Sequence, residues 1–189
     1  MAIKNIHAPL GENDVSALRS GDMVNVSGII YVARDTAHRK MVDALGEGAA
    51  LPFHLEGQIV YYCGPSPARE GQIIGAAGPT TSNRMDVYTP LLLANGMKAC
   101  IGKGSRSEKV RKALCRYKGV YLAAIGGCGA LLSRKITASE IIAFPELGPE
   151  AIHRLEVKNF PAIVVNDMYG NDLYKEGKRR FEITVDGEG

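Results

Sequence analysis

The chain has 189 residues, 46% of them hydrophobic, with 22 glycines and with 23 basic against 20 acidic side chains, for a formal charge of +3. That length suits a globular protein with one sizeable core or two small ones, and a single domain over 1–189 is the expectation. The charge surplus is too slight to imply nucleic acid, and with no tryptophan and 6% aromatics there is little material for base stacking.

The opening MAIKNIHAPLGEND has one lysine and no apolar stretch ahead of its charges, so no signal peptide is expected and the chain is read as soluble and cytoplasmic. Val15 to Arg19 suits one or two turns of helix. Asp22 to Arg34 alternates as a strand through Val24, Val26, Ile29, Ile30 and Val32, and Arg34 falls at its end. Asp35 follows as the expected cap of a helix through His38, Met41, Val42 and Leu45, stopped by Gly46 and Gly48. Further strands are expected at Gln58 to Cys63 and Gln72 to Ala77, around the loop GPSPAREG.

From Gly78 onward helices alternate with short apolar strands, which argues for an α/β layer. Arg84 to Asn95 reads as helix, with Pro90 as a point where it kinks or ends early. Met97 to Gly102 reads as strand, Ser107 to Tyr117 as a basic helix capped by Ser105 or Ser107, Gly119 to Ile125 as strand, and Gly129 to Leu132 as a helical turn. The charge-free stretch Gly119 to Ser133 is shorter than the roughly 20 residues of a membrane helix and is broken by glycines, so no membrane partner is expected. The tail adds Ile152 to Val157, Ala162 to Asn166, a turn at Tyr169-Gly170-Asn171, and a strand-like then frayed end from Glu176. Cys63, Cys100, Cys115 and Cys128 form no C-x-x-C pair and have no histidine at metal spacing, so they are read as buried, reduced thiols rather than metal ligands.

Three segments carry candidate chemistry. GPTTSNR, Gly78 to Arg84, joins a rigid turn, three hydroxyls and a guanidinium to an expected helix start, where amide hydrogens and the helix dipole favour an anion. The bland alternative is a capped turn with an exposed arginine. ARDTAHRK places Arg34 at a strand end, the usual place for ligand contacts in open sheets, unless it is a surface arginine paired with Asp35. CIGKGSRSEK places Lys103 between glycines after a strand; the spacing of a nucleotide-binding P-loop is not met, which leaves Lys103 as a point-charge anion ligand or a solvated turn lysine. Arg34, Arg84 and Lys103 together would neutralise a small dicarboxylate. None is an ordinary general base, so an electrophile or metal is expected from elsewhere.

VARDTAHRK, GPTTSNRMDVYTPLL, GMKACIGKGSR and KNFPAIVVNDMYGNDLY occur in that order, and with them nearly the whole chain resembles the iron–sulfur hydro-lyases of the class I fumarase and L-tartrate dehydratase type, specifically their β subunit or C-terminal half. The resemblance implies an α/β fold of the swivelling β/β/α kind, closing over a 4Fe-4S cluster whose cysteines lie in a partner α subunit. It implies that Arg34, Thr80, Thr81, Arg84 and Lys103 contact substrate, with Thr80 put forward as the base, in a hetero-oligomer. The unique iron would act as Lewis acid on the hydroxyl. Fumarate hydration to L-malate is the leading activity; L(+)-tartrate dehydration and a stand-alone anion-binding regulatory module are the alternatives. Ser82-Asn83 and Cys128 depart from the residues expected of relatives, which leaves substrate preference open. A basic RNA-binding role rests only on the 107–118 helix and lacks interleaved aromatics.

Overall fold

Residues alternate strictly between two cores along the central strands: Ile59, Tyr61 and Cys63 face one, Val60 and Tyr62 the other. The same period of two runs through Ala99, Cys100, Ile101 and through Val120, Tyr121, Leu122. Strands apolar on both faces are strands covered on both faces.

The computed structural model describes residues 3–182. In chain order these form β1 (Lys4–Ala8), α1 (Glu12–Ser16), β2 (Met23–Val32), α2 (Asp35–Gly46), β3 (Ile59–Tyr61), a 3-10 turn (Ser82–Met85), α3 (Thr89–Ala94), β4 (Ala99–Gly102), α4 (Glu108–Arg116), β5 (Val120–Ala123), α5 (Gly129–Ser133), β6 (Ile136–Ala143), a second 3-10 segment (Pro145–Glu150), β7 (Ile152–Asn166) and α6 (Leu173–Phe181). β1 to β5 pair in parallel in that order, in registers such as Val60 with Cys100 and Cys100 with Tyr121. β7 is antiparallel to β2, β5 and β6. Because β7 bonds to both β5 and β2, the strands β2, β3, β4, β5 and β7 close into a ring, with β1 and β6 as extensions.

The ring encloses Val26, Ile30, Ile59, Tyr61, Ile101, Leu122, Phe160 and Val164, all fully buried. The Tyr61 ring meets Phe160 edge-on at 5.2 Å, and its hydroxyl donates to the Ala77 carbonyl at 2.6 Å. Outside, Ala37 and Met41 of α2, Leu92 and Leu93 of α3, and Val110 and Leu114 of α4 cover the other face of the strands. Each buried Met, Leu or Val among these contributes about 1.5–3 kcal/mol, so the outer helices are held mainly by this face. Among the described residues no helix is long and apolar enough to cross a membrane.

Several elements differ from expectation. Asp35 does not cap α2; the capping position is Arg34, and Asp35 is the first helical residue. Gln72 to Ala77 is irregular rather than a strand. The expected helix from Arg84 to Asn95 is split into the 3-10 turn and α3, because Pro90 lacks an N–H and belongs in a first helical turn, where it now stands. Ile152 to Asn166 is one strand of 15 residues, and β1 and β6 were not anticipated. The segment after Glu176 is helical through Phe181, with the rest of the expected strand, 183–189, outside the described residues. Ser107 caps α4, accepting from the Val110 amide at 3.4 Å.

Candidate functional site

β2 and β4 end on the same side of the ring, because they are linked through β3 in a parallel array. Arg34 follows the end of β2 by two residues and Lys103 directly follows β4. Thr80 and Thr81 are brought between them by backbone pairing. Pro79 bridges to Cys63; the Thr80 amide donates to the Tyr62 carbonyl at 2.8 Å. The Lys103 amide then donates to the Thr80 carbonyl at 3.2 Å, and the Ser82 amide to the Lys103 carbonyl at 2.9 Å. The segment thus adds a short rung beyond the ends of β3 and β4, with Thr81 opposite Lys103.

The 3-10 turn carries Arg84 onward to the start of α2. Its Nε donates to Asp35 Oδ1 at 2.8 Å, while Asp35 Oδ2 lies 3.7 Å from Nη2 of Arg34. Glu150 approaches the same Nη2 at 3.4 Å. Gly64 leaves room for the Arg34 head: a Cβ there would stand 2.6 Å from Nη1 and 3.2 Å from the Pro149 carbonyl. The pairing of Arg34 with Asp35 and its location at a strand end, posed above as alternatives, therefore coexist. Lys103 extends along the turn after β5, where a Cβ on Gly126 would lie 3.5 Å from its Cδ. Among the described residues it makes no ion pair.

The capping expected of the three hydroxyls is not made. Thr81 occupies the capping position without a side-chain bond, and the helix behind it is a 3-10 turn of 4 residues, too short to sum much of a dipole. Ser82 is buried and its Oγ donates to the Tyr121 hydroxyl at 3.0 Å, which donates on to the Gly104 carbonyl at 2.8 Å. Thr80 is half-buried and Thr81 exposed; none of the side-chain hydrogen bonds described above engages the Thr80 hydroxyl.

Beneath this rim lies a group invisible to the sequence reading. Arg106, its side chain wholly buried, donates from Nε to Asp86 Oδ1 at 2.7 Å, from Nη1 to Cys100 Sγ at 3.0 Å and from Nη2 to Thr89 Oγ1 at 2.8 Å. Its guanidinium also faces the rings of Tyr62 and Tyr121, at 5.3 and 4.9 Å. Burial opposes its charge, but Tyr62, Cys100 and Asp86 outweigh burial and hold its pKa above the free value. Asp86 also accepts from the Ser107 amide at 2.6 Å, so one carboxylate ties the 3-10 turn to the start of α4. His38 is fully buried beside Tyr62; its Nδ1 donates to the Arg34 carbonyl at 2.8 Å, and burial lowers its pKa to about 4.

Cys63 and Cys100 face opposite cores, Cys115 is exposed on α4, against expectation, and Cys128 is partly buried. A cluster needs thiolates that converge, and burial pushes the Cys63 thiol up to about 12, away from the ligating form. Among the described residues no group of three or more His, Cys, Asp or Glu is placed to hold a metal ion. The side chains present do not fit a 4Fe-4S group.

The model of the family described as Fumarase C-terminus matches residues 3–177. The chain belongs to this family. Within the Fumarase C-terminus family it is 38% identical over 176 residues to "Fumarate hydratase class I, aerobic" of Escherichia coli, covering 92% of this chain and 31% of that protein. It is 40% identical over 158 residues to "Fumarate hydratase 2" of Leishmania major, 82% of this chain and 28% of that protein. The chain thus spans less than a third of either fumarate hydratase. A third relative is matched along nearly its whole length: "Putative L(+)-tartrate dehydratase subunit beta" of Methanocaldococcus jannaschii is 40% identical over 177 residues, 90% of this chain and 91% of that protein.

Proposed function

We propose that this chain is the β subunit of a 4Fe-4S-dependent hydro-lyase interconverting fumarate and L-malate, holding the dicarboxylate while an α subunit holds the cluster. The observation that carries this is the gathering of Arg34, Arg84 and Lys103 around the Thr80-Thr81 rung at the carboxyl ends of parallel strands. Two guanidiniums and an ammonium would supply the cations for the carboxylates of a C4 substrate, with the threonine hydroxyls orienting it. Membership of the Fumarase C-terminus family supports the reaction class. The subunit beta name of the Methanocaldococcus relative supports a two-chain enzyme.

In this reading the ring and its outer helices swivel as one body over the α subunit. Exposed Ile3, Met23, Ile125 and Leu131 line an apolar groove of about 380 Å³ next to the Lys103 turn, a patch of the kind a partner covers. The chain's own share of the chemistry is binding, orientation and one hydroxyl. An isolated threonine is too weak a base at neutral pH, so Thr80 moves the carbon-bound proton only with help from the adjacent cations or a carboxylate of the α subunit.

The name and full-length match of the Methanocaldococcus relative favour L(+)-tartrate as a second reading. Anaerobic co-expression with the α subunit and assay of both substrates decides between them, with fumarate hydration the expected result. Inactivity on both substrates with the cluster loaded overturns the hydro-lyase. Tight dicarboxylate binding by the purified chain alone favours the regulatory module. In the active pair, Thr80→Val removes the hydroxyl and keeps the shape; a collapse of turnover is expected, and normal turnover excludes Thr80 as the base.

A further inference from the structure

Arg34 and Arg84 carry like charges on separate elements, yet their guanidiniums are drawn to one place. What stands between them is the Asp35 carboxylate, with Oδ1 accepting from Arg84 Nε at 2.8 Å and Oδ2 at 3.7 Å from Arg34 Nη2. Glu150 closes the far side: one oxygen lies 3.4 Å from Arg34 Nη2, and the other accepts from the Thr36 amide at 3.1 Å, fixing it to the first turn of α2. The Arg34 backbone is fixed too, its carbonyl accepting from His38 Nδ1. Arg84, by contrast, is half exposed, and Asp35 supplies its ion-pair contact among the described residues.

Two buried polar atoms at this junction have no hydrogen-bond partner, Arg34 Nε and Asp35 Oδ2. Both are sealed inside the chain, so Asp35 Oδ2 is balanced by the charge of Arg34 at 3.7 Å rather than by a hydrogen bond, and the junction is held by charge pairing. We infer that Asp35 is a positioning residue: its carboxylate gathers the two guanidiniums into a single anion-binding fork without itself touching the substrate. The inference rests on the dicarboxylate reading of the site. Physically, a negative charge between two positive ones offsets their repulsion, and it restricts the rotamers of a long exposed side chain before substrate arrives.

Asp35 could act in the opposite sense, as a carboxylate competing with substrate for the arginines, and one substitution separates the two. Asp35→Asn keeps the shape and removes the charge. In the α–β complex the fork predicts that KM for the dicarboxylate rises on the order of tenfold while kcat changes little and the melting temperature holds. A fall in KM, the mark of a removed competitor, overturns it. Combined with Arg84→Lys, the substitution should cost less than the sum of the two single losses, because part of the effect of Asp35 passes through Arg84; fully additive losses overturn it. A readout independent of catalysis is the Nε–Hε resonances of Arg34 and Arg84 in the isotope-labelled full chain. The Arg84 resonance should shift and broaden in Asp35→Asn, and an unchanged spectrum overturns the inference. A wild-type complex inactive on both fumarate and tartrate overturns the hydro-lyase reading instead, and the arginine resonances then decide the role of Asp35 alone.

Discussion

Arg84 stands in the 3-10 turn whose end Arg106 holds through Asp86, and the two are opposite in kind. The Arg106 side chain is 0% exposed, with Nε, Nη1 and Nη2 each bonded to a different element, whereas that of Arg84 is 49% exposed and bonded once, to Asp35. A buried cation with every partner supplied by its own chain is a structural tie; it holds the 3-10 turn, α3 and β4 in one arrangement. A half-exposed cation with donors to spare is available to a ligand. The rim can therefore be chemically open because the layer beneath it is closed.

The sharpest way to break this contrast is to remove the buried member. Arg106→Leu leaves Asp86 without its cation in the interior, and a loss of about 3–5 kcal/mol is expected in denaturant unfolding; a loss below about 1 kcal/mol would place Arg106 with the rim residues. His38 tests the buried layer by pH. Burial lowers its folded pKa to about 4 from the 6.5 of a free imidazole, so the unfolded chain binds the proton more readily. Its contribution is complete above about pH 6.5 and fades as pH falls toward 4, by about 3 kcal/mol in all. His38→Phe should flatten that slope, and an unchanged slope assigns it to another group. The smallest effect is expected at the rim. Gly64→Ala would put a Cβ 2.6 Å from Arg34 Nη1 and push the guanidinium aside, giving a several-fold rise in KM with stability nearly unchanged. An unaltered KM would detach Arg34 from the site.

How far these features were legible depended on how local their causes are. β2, β4, β5 and the body of α2 follow from apolar periodicity, which each segment carries within itself. β6 was missed because most of its residues are exposed or half-buried, so its sequence ITASEIIA lacks a buried stripe. α6 buries none of its residues and was read as strand; its start is set by Asp172, which accepts from the Tyr174 and Lys175 amides. Arg34, Thr80, Thr81, Arg84 and Lys103 stand out from motifs, and Asp35 from its place as a cap or as a partner of Arg34, while its contact with Arg84 and the role of Glu150 carry no sequence signal.

By itself the sequence determined the apolar alternation, the points where turns break it, and the ordered motif blocks that match the Fumarase C-terminus family. It could not determine that β7 would close the ring, that Asp35 would stand between two arginines, or that one arginine of GMKACIGKGSR would be sealed under tyrosines while its neighbour Lys103 stayed exposed. Those outcomes belong to the tertiary structure. Burial and charge pairing depend on partners distant in the chain, and a residue's charge has a different role in water than in a core.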